Sequence, residues 1–360
     1  MKRKFKMKGI CHAIVLTCLA QGLWGQSTNV TVFASGFNNP RGLKFGPDGY
    51  LYVAEGGAGG TLSTVGLCRQ AAGVGPYTGG FTSRISKVAP NGAVSAVVEG
   101  LPSSQTNPDT GSLVSGVADL AFVKGILYAI LAGAGCSHGL RGTNNAVIRV
   151  NSDGSWSQVA NLSAFQKTHP VANPEPDDFE PDGTWYSMVA AGDVLYAVEP
   201  NHGELDAITT AGDISRVVDI SRFQGHIVPT AVAYGGGNFF VGNLERFPIE
   251  GDTSKIMKIT PDGVITTVEI DFSTIVGLAF DSQHRLYVLE NTTGNPGPTP
   301  GTGKVLRIDG KHKYTEIATG LNLPTAMTFG PDGNLYVSNW GFGPPPIGMG
   351  QVVKITLPTD

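Results

Sequence analysis

The sequence predicts an all-β fold, a six-bladed β-propeller whose ring is closed by strands from both ends of the chain. Three observations support this prediction: six copies of one sequence pattern, a pair of short hairpins in most copies, and a lone strand near each terminus. The composition agrees with it, because 50 of the 360 residues are glycine and only 15% are charged. Helical bundles and coiled coils are much richer in charged residues and alanine, so these classes are excluded.

The repeated pattern is clearest in its first and last copies. Residues 40–55 read PRGLKFGPDGYLYVAE, and residues 324–339 read PTAMTFGPDGNLYVSN. Together with weaker copies they place one aromatic residue at a matching position six times, at Tyr52, Tyr128, Tyr196, Phe240, Tyr287 and Tyr336. A unit of about 45 residues that recurs in this way is typical of propeller blades.

Each copy contains two short apolar strands joined by a tight turn, and most copies add a second hairpin. Gly-Pro-Asp-Gly turns occur at 46–49 and 330–333, while Pro-Asn-Gly and Pro-Asp-Gly turns occur at 90–92 and 261–263. Glycine supplies the positive φ that such turns require, and β-branched and aromatic residues fill the strands between them. Two hairpins provide the four antiparallel strands of one blade.

Closure of the ring is predicted from the two ends of the repeat region. Residues 351–356 leave the last copy one strand short, and residues 30–34 form an unattached strand before the first copy. Pairing these two strands would complete one blade and remove the exposed edges. We therefore expect a single propeller domain over residues 28–358.

Residues 1–25 have the pattern of a secretory signal peptide. Five basic residues precede an apolar run at 9–19, which is too short for a comfortable membrane span. Without this segment, 20 basic residues face 29 acidic ones, a net charge of −9. We expect an exported, periplasmic or extracellular protein that does not span a membrane, and the negative charge argues against nucleic acid as a partner.

Cys68 and Cys136 are the two cysteines outside the signal segment. An even pair in an oxidising compartment predicts a disulfide, although two unpaired small residues remain the alternative. A structural bond is favoured because there is no Cys-x-x-Cys spacing. His138 follows closely, but these residues do not have a standard zinc spacing.

Several segments resemble the ScyD/ScyE family of exported bacterial propellers, which is related to NHL-repeat proteins. The resemblance covers essentially the whole chain after residue 25 and is carried by GFNNPRGL at 36–43, LYVAEGG at 51–57, VPTAVAY at 228–234, YVLE at 287–290 and LYVSNW at 335–340. It implies a six-bladed propeller and export. Because the family has no established catalytic mechanism, the resemblance implies no particular activity.

One rim of the predicted ring carries the long connections, and we call it the long-loop face. It collects the turns between second and third strands and those between blades, with insertions at 56–81, 105–116, 132–144, 168–184, 291–303 and 340–350. The opposite rim has only short turns. Because long loops on a rigid scaffold usually carry binding sites, we expect this face to be functional. The alternative is that the long loops are tolerated insertions on a rim without a function.

The densest acidic stretch of the chain, residues 175–182, falls on the long-loop face. Asp178, Glu180 and Asp182 are candidate ligands for Ca²⁺, which prefers carboxylate oxygen. However, if Asp178 is the first residue of an EF-hand-like loop, the twelfth residue is Val189, where a glutamate is required. A solvated acidic loop is therefore the favoured alternative.

A polar residue ends the second strand in five of the six copies, at Glu55, Glu199, Asn243, Glu290 and Asn339. We call these residues the polar ring, and together with Arg41 at the start of the first inner strand they are candidate ligand-binding residues. The alternative is that each polar-ring residue hydrogen-bonds to the backbone of the next blade, and that Arg41 forms a salt bridge between blades. Glu55, Glu199, Glu290 and His202 are also weak candidates for acid–base catalysis.

The leading functional hypothesis is a monomeric, non-catalytic binding or scaffold module whose long-loop face takes a small molecule, a polymer or an envelope protein. The alternative is an enzyme, either a metal-assisted, lactonase-like hydrolase or a lyase-like enzyme, that uses carboxylates at the channel mouth. The inner strands begin with Arg41, Ala118, Tyr186, Thr230, Val276 and Thr325, which do not form a cage of oxygen ligands and so disfavour lactonase chemistry. A purely structural envelope protein is a third possibility.

Overall fold

The strands of the computed structural model form six sheets, each of which is one blade of a β-propeller. The structure describes residues 25–107, 109, 113–174, 179–294, 296–342 and 348–358. Five sheets have four antiparallel strands, and the sheet that begins at Pro40 has a short fifth strand. This architecture confirms the predicted fold class. Residues 1–24 of the predicted signal peptide lie outside the described residues.

The first strand, β1, belongs to the last blade and covers Val30–Phe37. The first blade follows as β2 Pro40–Phe45, β3 Leu51–Glu55, β4 Thr78–Val88, β5 Val94–Gln105 and β6 Val114–Ser115. The second blade consists of β7 Val117–Val123, β8 Ile126–Leu131, β9 Ala146–Val150 and β10 Trp156–Asn161. The third consists of β11 Ser187–Ala191, β12 Val194–Glu199, β13 Glu204–Thr209 and β14 Ile214–Asp219.

The fourth and fifth blades follow the same order from the centre of the ring outward. The fourth consists of β15 Pro229–Gly235, β16 Asn238–Asn243, β17 Ser254–Ile259 and β18 Ile265–Phe272. The fifth consists of β19 Ile275–Phe280, β20 Leu286–Glu290, β21 Gly303–Gly310 and β22 Lys313–Leu321. The sixth blade contributes β23 Ala326–Phe329, β24 Leu335–Asn339 and β25 Gly350–Ile355.

Ring closure occurs as predicted, because the N-terminal strand completes the last blade. β1 pairs antiparallel with β25, with Val32 opposite Val353 and Thr31 opposite Lys354. Both strands would otherwise leave unpaired backbone donors and acceptors at a sheet edge. The two ends of the chain therefore hold the ring shut through one shared sheet.

Two short helices extend outer strands into long loops. Helix α1, Leu162–Thr168, is capped by the Asn161 side chain, and α2, Ile220–Gln224, is capped by Asp219. Each cap accepts a backbone N–H that the first helical turn leaves unsatisfied. No described helix combines the length and apolar character needed to cross a bilayer.

The repeated aromatic residue makes contacts between blades. Tyr52 meets Phe122 of the next blade edge-on at 5.2 Å between ring centres, and Tyr287 meets Phe329 in the same way at 5.1 Å. Tyr336 closes the circle by packing on Phe45 of the first blade at 5.0 Å. Such aromatic pairs contribute about 1 kcal/mol each beyond the burial of their surface. The recurrence of an aromatic residue at this position is therefore explained by packing, because it fills the interface between neighbouring blades.

Candidate functional site

Each residue of the polar ring binds the segment that enters its own blade. Glu55 Oε2 accepts the backbone N–H of Asn38 at 2.7 Å, while Oε1 accepts from Arg84 Nε at 2.6 Å. Arg84 is partly exposed, whereas the Glu55 side chain is fully buried. Glu55 therefore ties the strand entry to the third strand of the blade.

The other four members repeat this arrangement. Backbone N–H groups of Thr184, Ser273 and Asn322 donate to Glu199, Glu290 and Asn339 at 2.7, 2.8 and 2.7 Å. Asn243 instead donates to the carbonyl of Ile227 at 2.9 Å. All four side chains are buried. The partners are backbone groups, as the structural alternative expects, but they belong to the segment that enters the same blade and not to the next blade.

The mouth of the central channel on the long-loop face contains a cavity of about 190 Å³, here called the axial cavity. Its polar lining includes Arg41, Tyr77, Glu180, Tyr186 and Asn201, and much of the rest is apolar, with Val114, Ala118, Trp185, Val228, Leu244, Phe247 and Phe342. No member of the polar ring is among the described lining residues. The structure therefore separates Arg41 from the other ligand-binding candidates.

Arg41 lies at the start of β2 and is only 8% exposed. One guanidinium nitrogen donates to the carbonyl of Val114, and the group lies 5.9 Å from the ring centre of Tyr186. Within the described part of the chain no carboxylate forms an ion pair with Arg41, so the inter-blade salt bridge considered for it is not present there. A buried cation without a counter-charge is costly and attracts an anion.

A buried hydrogen-bonded network forms another part of the cavity wall. The Tyr77 hydroxyl donates to Oε1 of Glu180, and the ring of Tyr77 stacks on His138 with centres 4.7 Å apart. His138 Nε2 lies 3.1 Å from the carbonyl of Gly183, and Nδ1 lies 2.9 Å from the Ser104 hydroxyl. Because a carbonyl only accepts, Nε2 carries the proton and Nδ1 accepts from Ser104. Burial lowers the pKa of His138, which keeps this imidazole neutral near pH 7.

The predicted disulfide between Cys68 and Cys136 is present, with Cα atoms 6.3 Å apart. It joins the loop after β3 to the loop after β8, and Thr64 of the first loop donates to the carbonyl of Cys136. Tyr77 belongs to the first of these loops. The disulfide therefore braces the segment that brings Tyr77 to the cavity.

A second depression of about 480 Å³, here called the outer cleft, adjoins the axial cavity. The two share the lining residues Val74, Val228, Leu244 and Phe247. The segment 244–253 forms most of the outer cleft, with Glu245, Arg246 and Glu250 as its charged members. This loop was not among the predicted insertions, since it is only ten residues long. Its position beside the channel mouth, rather than its length, makes it part of the site.

The acidic stretch does not gather its carboxylates into one site. Asp182 pairs with Lys167 and accepts the backbone N–H of Ser137 at 2.7 Å, whereas Glu180 binds Tyr77. Asp178 lies outside the described residues. In the described part of the chain, no group of three or more His, Cys, Asp and Glu side chains is placed to hold a metal ion.

His202 is buried behind the cavity wall rather than on it. Its Nε2 lies 2.9 Å from the carbonyl of Glu180, and burial lowers its pKa. Beside it, Glu204 pairs with Arg216 at 2.5 Å, and Trp185 donates to Asp206 at 3.3 Å. Burial and the charge of Glu204 raise the pKa of Asp206 well above 3.8. Asp206 therefore holds the indole of Trp185, which lines the cavity.

Sequence reasoning missed most of the cavity residues. Tyr77, Trp185 and Asn201 lie in irregular segments without a repeating register, so no pattern marked them. Asp119 was missed although it directly follows Ala118, one of the inner-strand starts that were compared. Its carboxylate is buried between inner strands, where it accepts from Ser187 and Met188, and burial raises its pKa. Comparing the second position of each inner strand would have identified it.

No protein-family model matches the chain, and no curated protein matches it in sequence. Solved structures share its fold. A structural genomics protein of unknown function from Bacteroides thetaiotaomicron has a TM-score of 0.58 at 13% identity, over 92% of this chain and 76% of that one. The PQQ-bound aldose sugar dehydrogenase from Streptomyces coelicolor has a TM-score of 0.56 at 14% identity, over 92% and 98%.

A gluconolactonase from Xanthomonas campestris is also similar, with a TM-score of 0.55 at 10% identity, over 91% of this chain and 89% of that one. At such identities the likeness extends to the fold alone, because one propeller scaffold carries many unrelated sites. The function of this chain must therefore be argued from its own cavity.

Proposed function

We propose that this protein is a non-catalytic binding module that holds a small organic carboxylate in the axial cavity of its long-loop face. The observation that supports this proposal most directly is Arg41, a buried guanidinium that lines the cavity and has no ion pair within the described part of the chain. A ligand carboxylate would supply the missing counter-charge. Arginine suits this role because its donors match the two oxygens of a carboxylate.

The walls of the cavity support an organic rather than an inorganic anion. Trp185, Leu244 and Phe247 present apolar surface, and Tyr186 adds an aromatic face next to Arg41. Small-molecule sites commonly combine apolar walls with a few placed polar groups. The low dielectric of such a site strengthens the attraction between the guanidinium and a bound carboxylate.

The proposal is tested by calorimetry with a panel of small carboxylic acids that includes simple, hydroxy, keto and amino acids, each paired with its primary amide. We expect at least one acid to bind and its amide to bind at least tenfold more weakly. Arg41→Gln is expected to remove that difference. Arg141→Gln is the matched control, because Arg141 is an exposed guanidinium on the same face.

Two results would overturn this proposal. One is that no acid of the panel binds in a manner that depends on Arg41. The other is chemical conversion of a bound acid, detected by NMR after prolonged incubation, since the module is proposed to leave its ligand unchanged.

The enzyme alternative is favoured by a different observation, the hydrogen bond between Tyr77 and Glu180 on the cavity wall. A phenol and a carboxylate in contact can exchange a proton with a ligand, which is the requirement of general acid–base catalysis. The same NMR incubation tests this alternative. Turnover that is lost in both Tyr77→Phe and Glu180→Gln would establish it.

We also propose that the protein is an exported member of the ScyD/ScyE family that acts as a monomer. The basic and apolar pattern of residues 1–25, the disulfide and the family segments quoted above support this proposal. Mass spectrometry of the protein recovered from its native compartment tests export. The expected mature chain begins near Gln26, and an uncleaved cytoplasmic product would contradict export.

A further inference from the structure

We infer that the ligand of the axial cavity is an oxygenated carboxylate, a small acid with a hydroxyl or keto oxygen on carbon 2 or 3. This inference rests on the proposed function and deepens it by naming the ligand class. Ser115 and Thr184 line the same cavity of about 190 Å³ as Arg41. Neither of their hydroxyl groups has a hydrogen-bond partner among the described residues. A second oxygen on the ligand would supply the partner that they lack.

Ser115 lies next to the group that holds the Arg41 guanidinium. It ends β6 and directly follows Val114, whose carbonyl accepts a hydrogen bond from Arg41. The Ser115 backbone is fixed because β6 pairs with β5, which places Ser115 opposite Ser104. A carboxylate bound to Arg41 therefore has its carbons 2 and 3 close to Ser115, so the second oxygen is expected near the carboxylate and not at the far end of the ligand.

Thr184 reaches the cavity from another blade. It lies on the segment that enters the third blade, two residues before Tyr186, whose ring centre is 5.9 Å from the Arg41 guanidinium. Its backbone is held in place, because its N–H donates to Oε1 of Glu199 at 2.7 Å. The Thr184 hydroxyl is shielded from solvent and has no partner within the described part of the chain. A buried hydroxyl in this state is unfavourable, so a ligand that offers it an acceptor is favoured.

The other hydroxyl groups of the cavity wall already have acceptors. Tyr77, Thr106, Tyr186 and Thr230 donate to Glu180, Asn107, Thr325 and Ile275, respectively. Among the described lining residues, Ser115 and Thr184 therefore differ from every other hydroxyl of the wall. Buried polar groups in folded proteins are nearly always hydrogen-bonded, and an exception at a cavity indicates a partner that arrives with the ligand.

An oxygen atom suits these two side chains better than the other common substituents of a small acid. The hydrogens of the Ser115 and Thr184 hydroxyls need acceptors, and a hydroxyl or keto oxygen has two lone pairs to offer. A methylene group offers no acceptor, and an ammonium group only donates. A site that hydrogen-bonds a ligand oxygen rejects the analogue without it, because the buried polar groups of the site are then left unpaired.

The inference is tested on the mature protein by calorimetry with two sets of probes matched in shape, chiral members as both enantiomers. The first set varies carbon 2 and consists of phenylacetate, mandelate, phenylglyoxylate and phenylglycine. The second varies carbon 3 and consists of butanoate, 3-hydroxybutanoate and 3-aminobutanoate. In at least one set we expect an oxygenated acid to bind at least tenfold more tightly than both the unsubstituted acid and the amino acid.

Ser115→Ala and Thr184→Val remove the two hydroxyls with little change in shape. Each is expected to lose part of the preference, and the double variant should bring the oxygenated and unsubstituted acids to within twofold of each other. Thr61→Val and Ser95→Ala, at exposed positions, are the matched controls and should keep the tenfold preference. Because the Thr184 hydroxyl has no partner to lose, Thr184→Val without ligand is expected to resist urea at least as well as the unmodified protein.

The outcomes distinguish this inference from the proposed function. If an unsubstituted acid or an amino acid binds as tightly as its oxygenated analogue, the second oxygen is wrong while the carboxylate site stands. A preference that survives in the double variant, or a Thr184→Val variant that unfolds more easily, overturns the role of the two hydroxyls. If the primary amide of a bound oxygenated acid binds as tightly as the acid, the role of Arg41 also fails. If no probe binds, the inference is overturned, and the wider acid panel decides the proposed function.

Discussion

Gly42 and Asp119 approach so closely that a Cβ atom added to Gly42 would lie 1.9 Å from Oδ1 and 2.6 Å from Cα of Asp119. Asp119 in turn accepts the backbone N–H of Met188 at 2.7 Å. The inner strands of the first three blades are therefore joined through one buried carboxylate. Only glycine permits this approach at position 42.

The substitution Gly42→Ala is expected to destabilise the protein by about 3 kcal/mol, because backbone as well as side-chain atoms of Asp119 must move. Urea unfolding of the variant and the unmodified protein measures this loss. Gly297→Ala is the control, since a Cβ at Gly297 meets no atom within 4 Å. Equal stability of both variants would show that the inner strands shift apart at little cost.

Glu55→Ala is expected to reduce stability by about 3 kcal/mol without changing ligand affinity. The substitution leaves Arg84, Ser86 and the backbone N–H of Asn38 without their shared acceptor. Urea unfolding measures stability, and calorimetry with whichever acid binds measures affinity. A folded Glu55→Ala variant with tenfold weaker binding would restore a ligand role for the polar ring.

Replacing both Cys68 and Cys136 by alanine is expected to cost about 3 kcal/mol of stability, as removal of a disulfide from an exported protein commonly does. Ligand affinity should fall as well, because the bond braces the loop of Tyr77. The unmodified protein in reductant should behave like the double variant, whose own unfolding should not respond to reductant. A variant that retains full affinity would show that Tyr77 is positioned without the disulfide.

The stability of the protein should depend on pH through Asp206. Burial, followed by the charge of Glu204, raises the pKa of Asp206 well above 3.8, so the folded state binds a proton that the unfolded state has released. Stability from this group is therefore lost as pH rises above about 4. Asp206→Asn removes this titration, and its stability relative to the unmodified protein should increase from pH 4.5 to pH 7.5.

Urea unfolding at several pH values measures this trend, and any pH-independent cost of the asparagine shifts all values equally. Glu316→Gln is the control because Glu316 is an exposed carboxylate on a strand. A difference between Asp206→Asn and the unmodified protein that stays constant with pH would show that Asp206 has the same charge in the folded and unfolded states.

Much of the architecture was predictable because it is encoded locally and repeatedly. The Pro-Asp-Gly turns and alternating apolar strands recur, so a clear copy of the repeat helps to identify the weaker copies. Tyr52 and Tyr336 make equivalent contacts between blades. The disulfide was predicted by counting the cysteines outside the predicted signal peptide. For the polar ring, register alone could not decide between the channel and the backbone as the partner of Glu55.

The sequence by itself determined six blades, the closure of the ring by β1 and β25, and the face on which the long loops lie. Only the tertiary structure decided that Arg41, Tyr77 and Glu180 line one cavity, while the polar ring hydrogen-bonds to the backbone. The physical reason is the distance along the chain over which each interaction acts. Turn and strand preferences act over a few residues, whereas the neighbours of a loop side chain depend on how distant segments pack around the axis.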